Sequence, residues 1–289
     1  MTDVATQDID TLDRQAEQAV RSIGIPPCPI ILTRLLREMR EDEPDFARIA
    51  ELVGSDVGLA AILLKTINSP LYGLRNKVTT VHHTLNLLGV RNVAQLVVGL
   101  TLRQVFPVSS SAAMNDFWET SSDVALVCAH IARHARVDKD SAYTYGLFRD
   151  CGIPAMIGAF PDYSAMADAA KRDAAGSLTA YERERYGVHH AQIGFHLARS
   201  WELPDMFCKA ILWHHDYEAL CDDDSERPAE SLRLIALALI AEQIYMKNSD
   251  GTECEDWHEG GELAMAYLGV DETAFQALSD GIADVLQQD

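Results

Sequence analysis

An all-α fold is predicted for this chain, and three observations carry the prediction. Apolar residues recur at spacings of three and four along nearly every segment, the interval that lines one face of a helix. The alternation of β-branched and polar residues that marks a strand is rare. The periodic segments are separated by short breaks rich in Pro, Gly, Asp and Ser, of the kind that stop one helix and start the next. With 289 residues, 48% of them hydrophobic, the chain is long enough to bury one large core or two smaller ones.

The elements follow in order. Asp10 to Arg21 reads as a polar, charged helix, broken by Gly24-Ile-Pro-Pro-Cys-Pro29, because proline removes a donor and restricts its neighbour. A helix from Ile30 to about Arg40 is stopped by Glu43-Pro44-Asp45, and the next runs to Val53. Ser55 and Asp56 can cap a helix from Val57 to Asn68, with Leu59, Ile62, Leu63 and Ile67 on one face. Asn68, Ser69 and Tyr72 are expected to hold its C-terminus, since short polar side chains compete well for free backbone groups. Val81 to Leu88 is a short helix with Gly89 at the C′ position. His82 and His83 are read as surface residues. Val93, Leu96, Val97 and Leu100 then form a buried stripe.

Pro107-Val-Ser-Ser-Ser-Ala-Ala113 is the clearest linker. Beyond it helices are expected over 115–136, 138–148, 153–160, 163–175, 177–186 and 190–201, and in a segment carrying Ile211 to His215. Cys221 to Glu226 is an acidic, solvated loop. Ala229 to Met246 is strongly apolar and expected at the centre, 248–256 is read as a loop, and two amphipathic segments start near Glu262 and Glu272. The division expected is an extension over 1–24, a helical subdomain over 25–108, a helical bundle over 114–247, and a second extension over 248–289.

Charge narrows the partners. Lys and Arg number 24 against 44 Asp and Glu, so 24 − 44 gives −20. Such a field repels phosphate backbones and anionic lipid, so neither nucleic acid nor a membrane is an expected partner. The longest apolar run, Leu234 to Ala241, is too short to span a bilayer. Six scattered cysteines without a C-x-x-C pair exclude a disulfide framework and a zinc ribbon, and reduced thiols are expected. The acidic start, Met-Thr-Asp-Val-Ala-Thr-Gln-Asp, carries no leader pattern, and the cytoplasm is the expected location.

Several runs carry a resemblance. Ile30 to Arg40 is followed by Leu63-Leu-Lys65-Thr-Ile-Asn68-Ser69-Pro-Leu-Tyr72-Gly73-Leu and by Val81-His-His-Thr-Leu-Asn-Leu-Leu-Gly89-Val. Later come Leu147-Phe-Arg-Asp-Cys-Gly152, His190-Ala-Gln-Ile-Gly194 and Trp213-His214-His215-Asp216. From about Pro26 to Ile244 the chain resembles the HDOD family, the HD-related output domain of bacterial signalling proteins. The resemblance implies an all-helical, HD-like bundle and a regulatory role. It also implies kinship with HD-type phosphohydrolases, which hold one or two divalent ions through imidazole and carboxylate ligands.

Carried over position by position, the resemblance places Thr120 where the first His of those hydrolases stands. Arg149 takes the place of the His in the adjacent His-Asp pair, and Glu242 that of the distal Asp. A guanidinium cannot ligate and would repel a dication, so one ion position looks destroyed, with Arg149, Thr120 and Glu242 lining the remaining pocket. Asp150, His190, His214 and His215 match the positions that hold the second ion in two-metal relatives. No cofactor is expected, but one residual divalent ion stays compatible with these four. Asp216-Tyr217-Glu218 follows His215 where cyclic-dinucleotide phosphodiesterases carry Gly-Tyr-Pro.

Each feature also has a local reading, and for the His pairs it is preferred. His214-His215 can sit at a helix end, where a cation complements the dipole, and His189-His190 can open a helix. Arg149 and Asp150 read as a buried or half-buried ion pair. Trp118, Trp201 and Trp213 read as core or interface anchors. Three functions follow. The first is a non-catalytic signalling module that binds an unidentified protein or a small ligand and takes its input from a partner chain. The others are a phosphohydrolase working with one ion, and a sensor that binds an anionic nucleotide through Arg149. The sequence leaves the oligomeric state open.

Overall fold

Asp45, Asp56, Thr80, Asp138, Ser177 and Asp271 each accept a backbone N–H from the turn that follows, and each starts a helix. The computed structural model describes residues 23–24, 26–38, 41, 44–69, 72–106, 112–172, 177–221 and 227–282, and no strand occurs among them. The first half contains α1 (Ile30–Glu38), α2 (Phe46–Gly54), α3 (Val57–Ile67), α4 (Val81–Leu88) and α5 (Val90–Val105). The second begins with α6 (Ala112–Ile131), α7 (Lys139–Phe148), α8 (Gly152–Ala159), α9 (Tyr163–Arg172) and α10 (Leu178–Tyr186). It continues with α11 (His190–Ser200), α12 (Asp205–Trp213), a 3-10 turn (Tyr217–Leu220), α13 (Ala229–Ser249), α14 (Trp257–Leu268) and α15 (Glu272–Asp280).

The predicted stripes become two cores. Leu35, Ile49, Leu59, Leu63, Leu85 and Val97 pack together among α1–α5. That cluster continues into Ala125 and Ala129 of α6 and Tyr143 and Leu147 of α7, so the two halves share an interface. The larger core gathers Trp118, Tyr145, Phe148, Trp201 and Phe207 around α13. Leu234 to Ala241 is buried on every face, which is why this helix shows an apolar run and no stripe. From Asp140 to Phe148, α7 is likewise buried throughout, between α5 and α6. It ends at Arg149 in the middle of the bundle. No helix among the described residues is long and apolar enough to cross a membrane.

Several expectations are corrected. Ser55 donates to the Leu52 carbonyl at the end of α2, and Asp56 alone caps α3. Asn68 does pin the end of α3, bonding Leu64 and both backbone groups of Val78, each at 2.7 Å. Tyr72 instead crosses to the other half, where its hydroxyl donates to buried Asp140 at 2.7 Å. The helix after the linker starts at Ala112, before the expected Asn115 and the 114 boundary. α13 runs to Ser249, so the 247/248 boundary falls inside a helix. α14 begins at Trp257 rather than near Glu262, because Trp257 packs against the core with Phe275, 5.4 Å between ring centroids. The six cysteines are free thiols, with Cys221 exposed and Cys28 half-buried. The helix over 10–21, most of the 107–113 linker and all of the acidic loop after Cys221 lie outside the described residues.

Candidate metal centre

Arg149 and Asp150 follow α7 into the crossing of α8 and α11. Glycine makes the crossing possible. A Cβ on Gly152 would collide with the His190 carbonyl, and one on Gly194 would stand 3.0 Å from the Cys151 sulfur. The two glycines let the first turn of α8 touch the first turn of α11, which sets Asp150 beside His190.

Arg149 faces two carboxylates. Its Nε donates to Asp150 Oδ2 at 2.8 Å and one Nη to Glu242 Oε1, from α13, at 2.7 Å. The guanidinium is buried, and the two carboxylates outweigh the cost of that burial and hold its pKa well above the ordinary value. Burial alone would raise the Asp150 carboxyl. The Arg149 charge outweighs that and holds it well below the carboxylate range. The expected Arg149–Asp150 pair is therefore present, with Glu242 as its third member.

The other oxygen of Asp150 faces histidines. Oδ1 lies 3.1 Å from His214 Nε2 and 3.6 Å from His190 Nε2. His190 Nε2 in turn lies 3.3 Å from His214 Nε2 and 2.9 Å from His215 Nε2. The four residues carried over as a residual ion site are thus brought together. Arg149, Thr120 and Glu242 line the cavity beside them, about 320 Å³ in volume. Thr120 is half-buried and bonds the Tyr245 phenol. One Glu242 oxygen is engaged by Arg149.

The second nitrogen of each ring decides the chemistry. His190 Nδ1 lies 2.8 Å from Glu182 Oε2, His214 Nδ1 2.7 Å from the Ile211 carbonyl, and His215 Nδ1 2.6 Å from Asp256 Oδ2. Burial would raise Glu182 and Asp256, but the histidine facing each outweighs it, so both are lowered and ionised. All three partners are then acceptors, and each Nδ1 carries its proton. The Nε2 atoms are left turned toward one another. In neutral rings these are lone pairs 2.9 and 3.3 Å apart, which repel unless a cation sits among them. Burial and the neighbouring His215 lower the pKa of His214 and so oppose charging that ring.

These residues fit a divalent ion. First-row ions bind imidazole at about 2.0–2.2 Å, so nitrogens sharing one ion stand roughly 3 Å apart. Nδ1–H bonded to a carboxylate or carbonyl is the arrangement that orients metal-ligating histidines. Three such histidines beside an ionised Asp150 make a nitrogen-rich set suited to iron, manganese, cobalt, nickel or zinc.

Glu182 and Asp256 were not foreseen as site residues. Glu182 lies in the charged run Tyr181-Glu-Arg-Glu-Arg-Tyr186, which reads as a solvated helix, yet it is fully buried and takes a 2.5 Å bond from the Tyr163 hydroxyl. Asp256 stands in the 248–256 stretch read as a loop. A clustered set of histidines does announce that acceptors are needed, but many acids could supply them. His189, by contrast, opens α11 as a cap, with its pKa lowered to about 3 by burial and the adjacent His190. His82 and His83 are exposed. Trp118 and Trp201 are core, and Trp213 is half-buried beneath Arg227, 4.8 Å from its ring.

A family model of the HDOD domain matches residues 25–217. A solved HDOD domain protein from Geobacter sulfurreducens superposes with a TM-score of 0.71 at 19% identity, over 96% of this chain and 95% of that one. A candidate phosphohydrolase from Shewanella amazonensis SB2B gives 0.71 at 21% identity, over 93% of each chain. An uncharacterized protein of Treponema pallidum (strain Nichols) is 23% identical over 204 residues, 70% of this chain, and the match spans 39% of that protein's length.

Proposed function

We propose that this chain, which belongs to the HDOD domain family, is a regulatory module of signal transduction built around a one-ion pocket. The observation that carries this is the position of Arg149. Its guanidinium lies within 2.8 Å of both Asp150 and Glu242, a place between carboxylates where a cation belongs. The chain supplies that cation itself, which leaves a single place for an ion among the three Nε2 atoms.

His190, His214 and His215 would hold the ion, with Asp150 Oδ1 beside them. Bound there, a divalent ion would polarise a phosphoryl oxygen or lower the pKa of a water. Glu182 and the Ile211 carbonyl keep His190 and His214 in the ligating tautomer. Arg149 keeps Asp150 ionised and anchors it to α13. The site's surroundings favour binding over turnover of phosphate esters. Asp116, Asp168, Glu242 and Glu255 line the cavity against the cations Lys171 and Arg149, and this excess of carboxylates would repel a phosphoryl substrate. The same carboxylates, with Arg149 already engaged by two partners, draw support away from an anionic nucleotide. A protein partner that delivers the signal, and a cytoplasmic setting, complete the reading.

The second reading, a one-ion phosphohydrolase, is favoured by the histidine geometry alone. Phosphomonoester and phosphodiester turnover decides between them, measured with Mn²⁺, Fe²⁺ or Ni²⁺ present. The regulatory reading predicts rates indistinguishable from an Asp150→Ala control. Turnover that Asp150→Ala abolishes overturns it.

A further inference from the structure

The residues that reach the site from beyond position 217, where the family match ends, include one that touches a histidine directly. Asp256 stands between α13 and α14, and its Oδ2 accepts from His215 Nδ1 at 2.6 Å and from the Tyr217 hydroxyl at 2.7 Å. The short segment around it is fastened on both sides. The buried Cys254 donates its N–H to the Gln243 side chain of α13 at 2.8 Å, and Glu255 Oε1 accepts from the Leu178 N–H at the start of α10 at 3.1 Å. On the far side, Gly260 lets α14 close on the 3-10 turn, since a Cβ there would run into the Tyr217 ring and stand 2.7 Å from a Leu239 methyl.

We propose that the segment 254–257 is a strap that completes the ion pocket, with Asp256 the positioning residue for His215. The inference rests on the one-ion reading of that pocket. Geometry gives the reason. His190 and His214 are buried, and their Nδ1 partners come from α10 and α12, inside the family span. His215 is more exposed, and its ring takes its bearing from Asp256. Among the described residues Asp256 is the group that accepts from His215 Nδ1, so without its carboxylate Nε2 becomes protonated for part of the time and turns from ligand to donor. Tyr217 fixes the same oxygen from the other side, so the carboxylate is itself held in place. The strap thus couples the C-terminal helices to the ion, and a partner that lifts α14 would loosen the metal.

The test uses the full chain in three forms: wild type, Asp256→Ala and Asp256→Asn. Co²⁺ titration by calorimetry and visible absorption reads affinity and ligand field. Long-range ¹H–¹⁵N correlation spectra of the metal-free imidazoles read the His215 tautomer. Asp256→Ala is expected to weaken Co²⁺ by about 10–100-fold and to alter its visible bands. Asp256→Asn, which keeps an accepting oxygen, should recover part of the affinity. Metal-free wild type should show His215 as the Nδ1–H form, and Asp256→Ala a mixture. Unchanged Co²⁺ affinity and an unchanged tautomer in Asp256→Ala overturn the proposal. If wild type takes up no Co²⁺, the one-ion reading falls, and the tautomer spectra still decide what Asp256 does to His215.

Discussion

Replacing Arg149 with Met removes a buried cation and leaves Asp150 and Glu242 facing each other. Two unit charges about 4 Å apart attract by roughly 4 kcal/mol at an effective dielectric near 20, and Arg149 makes two such contacts, at 2.8 and 2.7 Å. Desolvation of the guanidinium offsets much of that gain in wild type. In the variant the offset disappears, but the two carboxylates lose their counter-ion. The side chains of Asp150 and Glu242 are 18% and 25% exposed, so water can compensate only in part. Breaking a buried pair from one side costs about 3–5 kcal/mol, and that range is the expectation here. At roughly 2–4 °C per kcal/mol for a chain of this size, the melting temperature should fall by about 10 °C. Urea unfolding of wild type, Arg149→Met, Glu242→Gln and the double variant gives the coupling directly. The Glu242→Gln background should recover part of the loss, since one orphaned charge is gone. A further expectation is that a divalent ion restores stability to Arg149→Met more than to wild type, by filling the space between the carboxylates. A loss under about 1 kcal/mol, with no coupling to Glu242, would refute the view of Arg149 as the pocket's resident cation.

Two other variants probe the frame. Gly152→Ala should cost about 1–3 kcal/mol by overpacking, because its Cβ meets the His190 carbonyl, and should also weaken Co²⁺ by moving His190 from Asp150; wild-type stability and affinity would remove the close approach as a determinant of the site. Asp140→Asn should flatten the part of the pH–stability profile that lies just above about pH 4. Burial raises the Asp140 carboxyl above its ordinary value, against the lowering bond from Tyr72. Its contribution is therefore fully present below about pH 4 and is lost as pH rises through the raised folded value; denaturant titrations of both proteins across that range check the sign, and parallel profiles would contradict it.

Much of the frame was legible because local chemistry and tertiary packing agree. Asp45, Asp56, Asp138 and Ser177 stand at expected helix starts, and in the structure the side chain of each accepts an amide from the turn that follows. The Leu234–Ala241 run could mean only burial on all sides. Histidine proximity was legible only through the family resemblance, since His190 and His214 stand 24 positions apart and spacing cannot bring them together. Glu182 was hidden because a carboxylate inside a charged run looks the same whether it faces water or an imidazole. Asp256 was hidden for a different reason. Its role depends on how the C-terminal helices fold back over the 3-10 turn, a contact of long sequence separation that leaves no periodic trace. Tyr72 was misjudged likewise: its local role at the end of α3 looked sufficient, and its bond to Asp140 comes from the packing of the two halves.

The proposed pocket holds one ion beside one resident guanidinium. Elemental analysis of chelator-free protein, after loading with Co²⁺ and removal of excess, tests it most directly. Wild type should retain one equivalent per chain and His214→Ala none. No bound metal in wild type, or two equivalents, would contradict it.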